Sequence, residues 1–401
     1  MILDFPGGAR PTERTHLGKK EIEYITDCSA ICINAGYDRE LLSAVNEQVK
    51  RGTLIGKNGE TPVYSPISGI FRGVMALEGV EYFVVTADGS EGEEHYFEPE
   101  SRPLTELTFE DIKESAKKFA ITDTRSGIPL WKLLERSNGN CTRVVIDGTE
   151  SDATSAINYR LGIEQAKAIV GGAKILLKAT GALKCVFAAE YYRSAAFAEI
   201  AKYASDEKIF AMAQLDEKYP YGDFALMYAL YVKKLNKGQT ALDEGVLIVA
   251  PETAIALYNS MISGMPQLDR YVTVCGDGIK NGANLCVPRG ITLRDISNIC
   301  GGLEEGHFFA ENSLLSGKTI TGAVCDGTHA LIAVKPTERT RTDCIACGEC
   351  AEVCPVNLIP RDVLAGDGKR MVKYCIGCGA CEYICPSNIP LLALINKEAK
   401  R

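Results

Sequence analysis

Two cysteine runs near the C-terminus constrain this chain more than anything else in it. The first is Cys344-Ile-Ala-Cys347-Gly-Glu-Cys350-Ala-Glu-Val-Cys354-Pro355 and the second Cys375-Ile-Gly-Cys378-Gly-Ala-Cys381-Glu-Tyr-Ile-Cys385-Pro386. Both read C-x2-C-x2-C-x3-C-P. That spacing holds [4Fe–4S] cubanes, and in two-cluster proteins the fourth cysteine of each run ligates the other cluster. Cluster I is therefore expected on Cys344, Cys347, Cys350 and Cys385, and cluster II on Cys375, Cys378, Cys381 and Cys354. Three thiolates two residues apart need tight turns, which Gly348 and Gly379 allow because glycine tolerates positive φ. Pro355 and Pro386 lead the chain away from each site. A structural zinc site takes four ligands, typically as two separated pairs. Two complete copies of the longer spacing argue against it.

The rest of the chain bounds the setting. Half of its 16 cysteines lie in residues 344–385, so they read as metal ligands in a reducing compartment rather than as disulfides. A net charge of −8 argues against nucleic-acid or anionic-membrane binding. The start, Met1-Ile-Leu-Asp-Phe-Pro-Gly-Gly, has neither the basic residues nor the apolar run of a signal peptide. No apolar run approaches the roughly 18 residues of a membrane span. The expected location is the cytoplasm, or the cytoplasmic face of a membrane complex.

Along the chain the hydrophobic pattern changes character. Residues 1–22 read as an irregular arm. Residues 23–105 carry short apolar runs at close spacing, such as Ala30-Ile-Cys-Ile33 and Tyr82-Phe-Val-Val85, which predict a small β-domain. From 106 to 265 strands alternate with helices, which predicts an α/β domain with a largely parallel sheet. Arg143–Ile146, Lys184–Ala189 and Val246–Ala250 are its strands. A long helical stretch ends near Gly181, with Ile157, Leu161, Ala168, Ile175 and Ala179 on one face. Residues 266–334 return to β character, 335–342 read as a linker, and 335–401 hold the cysteine module.

Eight further cysteines are scattered. Cys185 sits in an apolar strand and reads as core. Cys28 and Cys32 are spaced for a metal or redox pair, and Cys325 lies in a turn.

Several segments carry a resemblance. Phe5-Pro-Gly-Gly-Ala-Arg-Pro11, Lys218-Tyr-Pro-Tyr-Gly-Asp223 and Val272-Thr-Val-Cys-Gly-Asp-Gly-Ile-Lys-Asn-Gly-Ala-Asn284 precede the double cysteine run in an order that resembles the C subunit of the Rnf electron-transport complex. The middle is also similar to the flavin-binding subunit of respiratory complex I. A soluble relative, the electron-transfer protein of clostridial proline reductase, is similar in size and domain order. Val45–Ile55 with Val63–Phe71 resembles the barrel-sandwich hybrid of biotinyl and lipoyl domains, although its tip, Lys57-Asn58-Gly59, lacks their Met-Lys-Met.

The resemblance implies a multidomain α+β protein. Its parts are a barrel-sandwich hybrid (23–105), a Rossmann-like α/β domain binding FMN and NADH (106–265), a β-grasp SLBB-like domain (266–334) and a dicluster ferredoxin domain (335–401). It implies an electron-transfer oxidoreductase component that passes electrons from NADH through FMN, or from another carrier, through two [4Fe–4S] clusters to a partner reductase. Its partners are a protein donor and acceptor. A flavin suits this work because it divides a hydride's two electrons between one-electron centres. The family's flavin loop, Gly-x-Gly-Gly-Ala-Gly-Phe-Pro-Thr, corresponds to Thr122-Asp-Thr-Arg-Ser-Gly-Ile-Pro-Leu130, where Gly127 and Pro129 match. Asp123 adds a negative charge where a phosphate would sit, with Arg125 near enough in sequence to offset it. Asn-Ala-x-Glu-x-Glu-Pro corresponds to Asp147–Ala153, which keeps Glu150 and carries Asp152. Asn-Val-x-Thr corresponds to Ala250–Thr253, which keeps Thr253. Gly127, Glu150, Asp152 and Thr253 are thus the FMN and NADH candidates. Glu150 and Asp152 also fit a helix N-terminus capped by Ser151 or Asp152. The alternative function is a ferredoxin-like adaptor whose α/β domain is a docking scaffold without flavin or NADH. Only 16 residues follow Cys385, which suits a soluble or loosely docked role.

Overall fold

Val144, Val145 and Ile146 are apolar on both faces of their strand, the pattern of a strand buried inside a parallel sheet. In the computed structural model, which describes residues 1–11, 15–94, 97–235, 238–336, 340–366 and 368–398, they occupy that position. The strands run in the order Phe210–Leu215, Lys184–Glu190, Arg143–Asp147, Val246–Val249, all parallel. Strand order reverses between Arg143–Asp147 and Val246–Val249. The crevice beyond the C-terminal ends of those two strands is where open α/β sheets bind ligands.

One face of this sheet is covered by the helices Leu130–Ser137, Ile157–Glu164, Ala166–Thr180, Ser194–Tyr203 and Pro251–Ser263, whose apolar side chains share one core. The other face packs on Asp223–Tyr231 through Leu226, Met227 and Ala229. The helical stretch expected as one unit is two, broken at Gln165 with φ −121°. Ile157, Leu161, Ala168, Ile175 and Ala179 are all buried, and Gly181 closes the second helix in the left-handed conformation. Ala166–Thr180 lies close against Pro251–Ser263 because Gly172 has no Cβ, which would stand 2.0 Å from the Ala254 carbonyl oxygen.

A five-stranded mixed sheet follows, ordered Ile22–Tyr24, Ala283–Pro288, Asp269–Gly276, Ala330–Val334, Phe308–Glu311. Its edge strand comes from the N-terminal region: Ile22 pairs with Asn284 and Tyr24 with Cys286, in parallel. A boundary between residues 22 and 23 therefore cuts through a strand that belongs with residues 269–334. The β-rich region before the α/β domain has two antiparallel sheets. One is Ala30–Asn34, Val80–Thr86, Gly69–Leu77, Gln48–Val49, and the other is Arg39–Leu41, Leu54–Asn58, Thr61–Tyr64. They share a core of Ile31, Ile55, Phe71, Phe83 and Val85. The linker expected at 335–342 lies partly outside the described residues. Beyond it, short helices carry the cysteines and pack on Leu358, Ile389, Leu391 and Ile395.

Candidate functional site

The two cysteine runs fold as matching halves. Gly348 and Gly379 are left-handed N-caps of the short helices Glu349–Glu352 and Ala380–Tyr383. Ala346 and Gly377 are also at positive φ, as are Asn357 and Asn388. Each half therefore turns at the same three positions. A cavity of about 20 Å³ is lined by Cys344, Cys347, Cys350 and Cys385. Cys354 does not line it; it lies within electrostatic reach of Cys375, Cys378 and Cys381 of the second run, and of Cys350. Cys344 and Cys347 are exposed, and Ile345 between them is 67% exposed.

The second half faces inward. Cys375 and Cys378 line a cleft of about 890 Å³ shared with Arg125, Ser151, Tyr221, Asp223 and His329 of the neighbouring domains. Two segments pin this face. The Tyr219 hydroxyl donates to the Cys378 carbonyl oxygen at 2.6 Å and accepts from Ser316 Oγ at 2.8 Å. Gly8 N donates to the Val353 carbonyl oxygen, and Ala9 and Tyr219 exchange backbone hydrogen bonds. Gly7, at φ +63°, lies so close that a Cβ would stand 2.7 Å from the Cys354 carbonyl carbon. The arm read as irregular is thus a clamp on the cysteine module. Its one sequence signal was the Gly7-Gly8 pair.

The α/β crevice opens beside this cleft, with a volume of about 210 Å³. Asp123 is fully buried on a short hairpin. Its Oδ1 accepts from Ala250 N at 2.9 Å and Thr253 Oγ1 at 2.7 Å, and its Oδ2 from Ser126 N at 3.0 Å and Ser126 Oγ at 2.7 Å. Arg125 offsets it only from a distance. The guanidinium pairs with Asp147 at 2.9 Å and with Asp223. Gly127 closes the hairpin turn, its N–H donating to the Asp123 carbonyl oxygen.

Glu150, Asp152 and Thr253 are all buried here. Neither Ser151 nor Asp152 caps the next helix. Glu150 does that work: its Oε1 accepts from Tyr159 N at 2.9 Å and its Oε2 from Ser155 Oγ at 2.9 Å. Asp152 instead accepts from Thr154 and from Leu314 N at 2.8 Å, tying the loop to the mixed sheet's domain.

Glu190 stands beside Glu150. Its Oε1 accepts from Glu150 N at 3.0 Å, and its Oε2 has no hydrogen-bond partner among the described residues. Burial, against the opposing pull of Arg193, pushes its carboxyl up to about 7. Between the ordinary value of about 4.5 and 7, the folded chain holds a proton that the unfolded chain has lost. Stability therefore falls as pH rises through that window. Glu190→Gln is expected to flatten this slope and to gain on the order of 1–3 kcal/mol at pH 8. Urea unfolding at pH 5 and pH 8 measures it, and an unchanged slope would refute it.

The scattered cysteines do not assemble a reactive thiol. Burial and nearby Asp295 push Cys28 up to about 12, burial does the same for Cys185, and burial with Glu311 and Asp326 pushes Cys325 up to about 11. Such groups are poor thiolates at neutral pH.

Comparison with known proteins assigns these parts. Residues 125–259 match the Nuo51 FMN-binding domain, and residues 343–389 match the 4Fe-4S dicluster domain. The chain is 28% identical over 232 residues to the C subunit of the Na(+)-translocating ferredoxin:NAD(+) oxidoreductase complex of Acetobacterium woodii, a match covering 55% of this chain and 52% of that one. It is 23% identical over 386 residues to the C subunit of the proton-translocating ferredoxin:NAD(+) oxidoreductase complex of Clostridium ljungdahlii, covering 90% and 83%. The chain is thus similar, over most of its length, to C subunits of such complexes. It is similar also to the C subunit of the ion-translocating oxidoreductase complex of Salmonella arizonae, 26% identical over 392 residues, covering 90% of this chain and 57% of that one. The chain spans little more than half the length of two of these three curated relatives. A chain of an NAD+-reducing [NiFe]-hydrogenase superposes with a TM-score of 0.49 at 14% identity, covering 75% and 61%. Among the described residues no helix is long and apolar enough to cross a membrane.

The domain matches support two [4Fe–4S] clusters and FMN. The eight cysteines fit the clusters: they are soft thiolate donors in two sets, with the fourth member of the first set supplied by the opposite run. Among the described residues no three His, Cys, Asp or Glu side chains converge on a single ion, and a cubane spreads its thiolates wider than one ion does. For the flavin the fit is divided. The cleft offers room and the aromatic side chains Tyr219, Tyr221, Tyr228 and Tyr374 for a planar ring. The N-terminus of Pro251–Ser263, where a phosphate would be held, is filled by Asp123.

Proposed function

We propose that this chain is an electron-transfer subunit with a donor side at the α/β cleft and an acceptor side at the exposed Cys344–Cys347 turn. The supporting observation is that Cys375 and Cys378 line the same cleft as Arg125, Tyr221 and His329. In this reading cluster I is held by Cys344, Cys347, Cys350 and Cys385, and cluster II by Cys375, Cys378, Cys381 and Cys354. Bound clusters of this kind supply one-electron chemistry. The chain's own residues do the rest. Tyr219 and the Phe5–Arg10 clamp fix the inner thiolates against the cleft, and Cys344 and Cys347 present the outer set to a partner protein. The donor is NADH acting through a flavin ring, or another carrier that fits the cleft. Of the four residues expected at flavin and nicotinamide, Glu150 lines the crevice, and Gly127, Asp152 and Thr253 shape it through backbone and side-chain hydrogen bonds. The finer folds, a barrel-sandwich hybrid before the α/β domain and a β-grasp after it, belong to the same proposal.

A second reading is favoured by the occupied phosphate seat. In it the α/β domain docks partners, and both donor and acceptor are proteins. An anaerobic titration of the reconstituted chain separates the two, with iron and flavin quantified and absorbance at 400–450 nm followed. About eight irons are expected. Bound flavin and bleaching by NADH establish the first reading. Bleaching only by dithionite, without flavin, establishes the second. A chain that holds no clusters sinks both.

A further inference from the structure

The phosphate seats of an α/β crevice are the amide-rich N-termini of the helices that follow its strands. Two such termini flank the point where strand order reverses in this chain. At Pro251–Ser263, where Pro251 has no amide proton, Ala250 N–H and Thr253 Oγ1–H are both given to Asp123 Oδ1. The other Asp123 oxygen takes both donors of Ser126, so the carboxylate is fully committed. At Ile157–Glu164 the Tyr159 amide is given to Glu150. The fractional positive charge of each terminus is therefore already neutralised by an anion of the chain itself.

Among the residues lining the crevice no cation remains to hold a second anion. Arg125 is the one guanidinium or ammonium among those lining the crevice, and Asp147 and Asp223 engage it. His329 lines both the crevice and the cleft, and burial favours its neutral ring. Asp147, Glu150 and Glu252 add negative charge. A planar uncharged ring meets no such objection in the wide tyrosine-lined cleft next to it.

We infer that Asp123 is a resident anion in the phosphate seat, so that the chain takes an isoalloxazine ligand with an uncharged tail at least as well as one ending in phosphate. The inference rests on the reading that the cleft accepts a planar redox ring. It goes further in naming the chemistry at the ligand's far end and the residue that sets it.

Equilibrium dialysis of the full, cluster-reconstituted chain against riboflavin and against FMN provides the test. Wild-type protein is expected to bind riboflavin as tightly as FMN or more tightly. Asp123→Asn keeps an acceptor for Ala250 and Thr253 and removes the charge. It is expected to raise FMN affinity at least tenfold with riboflavin changed less than twofold. Asp123→Ser, which empties the seat, is expected to act in the same direction. Iron content and thermal melting show that each variant is folded. Wild-type FMN affinity tenfold above riboflavin overturns the inference. So does an unchanged FMN-to-riboflavin ratio in both folded variants, or the absence of binding by either flavin to any of the three proteins. The electron-transfer reading is judged separately, by cluster reduction with dithionite, and survives any of these outcomes.

Discussion

Arg270→Met is expected to destabilise the chain by about 3–5 kcal/mol, the typical cost of removing one partner from a buried ion pair. Arg270 is 0% exposed. Its Nη1 donates to Glu252 Oε1 at 3.0 Å and to Thr124 Oγ1 at 3.3 Å, and its Nη2 to Asp326 Oδ1 at 3.2 Å. Arg289 grips the same Asp326 through Nε at 2.6 Å and Nη2 at 2.5 Å. These side chains come from the α/β domain on one side and the mixed sheet's domain on the other, so the network is also the latch between them. With Arg270 gone, Asp326 keeps Arg289, but Glu252 keeps only uncharged partners, Gln267 at 3.3 Å, Thr124 and the Tyr271 backbone. Burial already pushes the Glu252 carboxyl upward against the pull of Arg270. Removing that pull raises it further, so the folded variant holds a proton that the unfolded chain releases above about pH 4.5. The penalty should therefore grow as pH rises from 5 to 8. Asp326 behaves oppositely. Burial alone would raise it, but Arg289 and Arg270 more than offset this and hold it well below the usual carboxylate range. Its contribution is present at neutral pH and lost as pH falls below about 4. Adding Glu252→Gln to Arg270→Met should recover much of the loss, because an orphaned charge costs more than an absent pair. Urea unfolding at pH 5 and 8 decides. A single variant within about 1 kcal/mol of wild type would show that the network does not stabilise the latch.

That network marks the limit of what the sequence discloses. Local features were readable. The cysteine spacings, the apolar strands Arg143–Ile146 and Lys184–Ala189, the helical face of Ile157, Leu161, Ala168, Ile175 and Ala179, and the stop at Gly181 each depend on neighbours a few residues apart. Features made by distant partners were not. Ile22–Tyr24 joins Ala283–Pro288 through a pairing that no period announces. Arg125 sits two residues from Asp123, yet it turns to Asp147 and Asp223. Asp123 was legible as a charge in the wrong place for a phosphate. That it takes the donors a phosphate would use became visible only once Ala250 and Thr253 were brought to it. Ser151 and Asp152 were reasonable caps by position, but Glu150 reaches the amide first because the loop bends toward Glu190.

Two double variants are expected to give opposite iron contents, and together they test the crossed ligand sets. In the crossed arrangement Cys344 and Cys354 serve different clusters, so Cys344→Ala with Cys354→Ala disables both, and iron should fall from about eight per chain toward zero. Cys344 and Cys385 serve the same cluster, so Cys344→Ala with Cys385→Ala should leave about four irons. If each run instead held its own cluster, the two results would exchange. The geometry favours crossing. Cys385 shares a cavity with Cys344, Cys347 and Cys350, whereas Cys354 interacts with Cys375 and Cys378. The surviving cluster differs from a generic remnant in where it lies. In the Cys344–Cys385 variant it is the inner one, held beneath Tyr219 and the Gly7 clamp and facing the cleft. It should still be reducible by a small donor that enters the cleft. Delivery to a protein acceptor should collapse, because the exposed Cys344–Cys347 turn no longer carries a cluster. Iron and sulfide analysis reads the first expectation. Stopped-flow reduction followed by transfer to a protein acceptor reads the second. Undiminished transfer from the variant that keeps only the inner cluster would mean that electrons leave through the cleft, and would reverse the assignment of donor and acceptor sides.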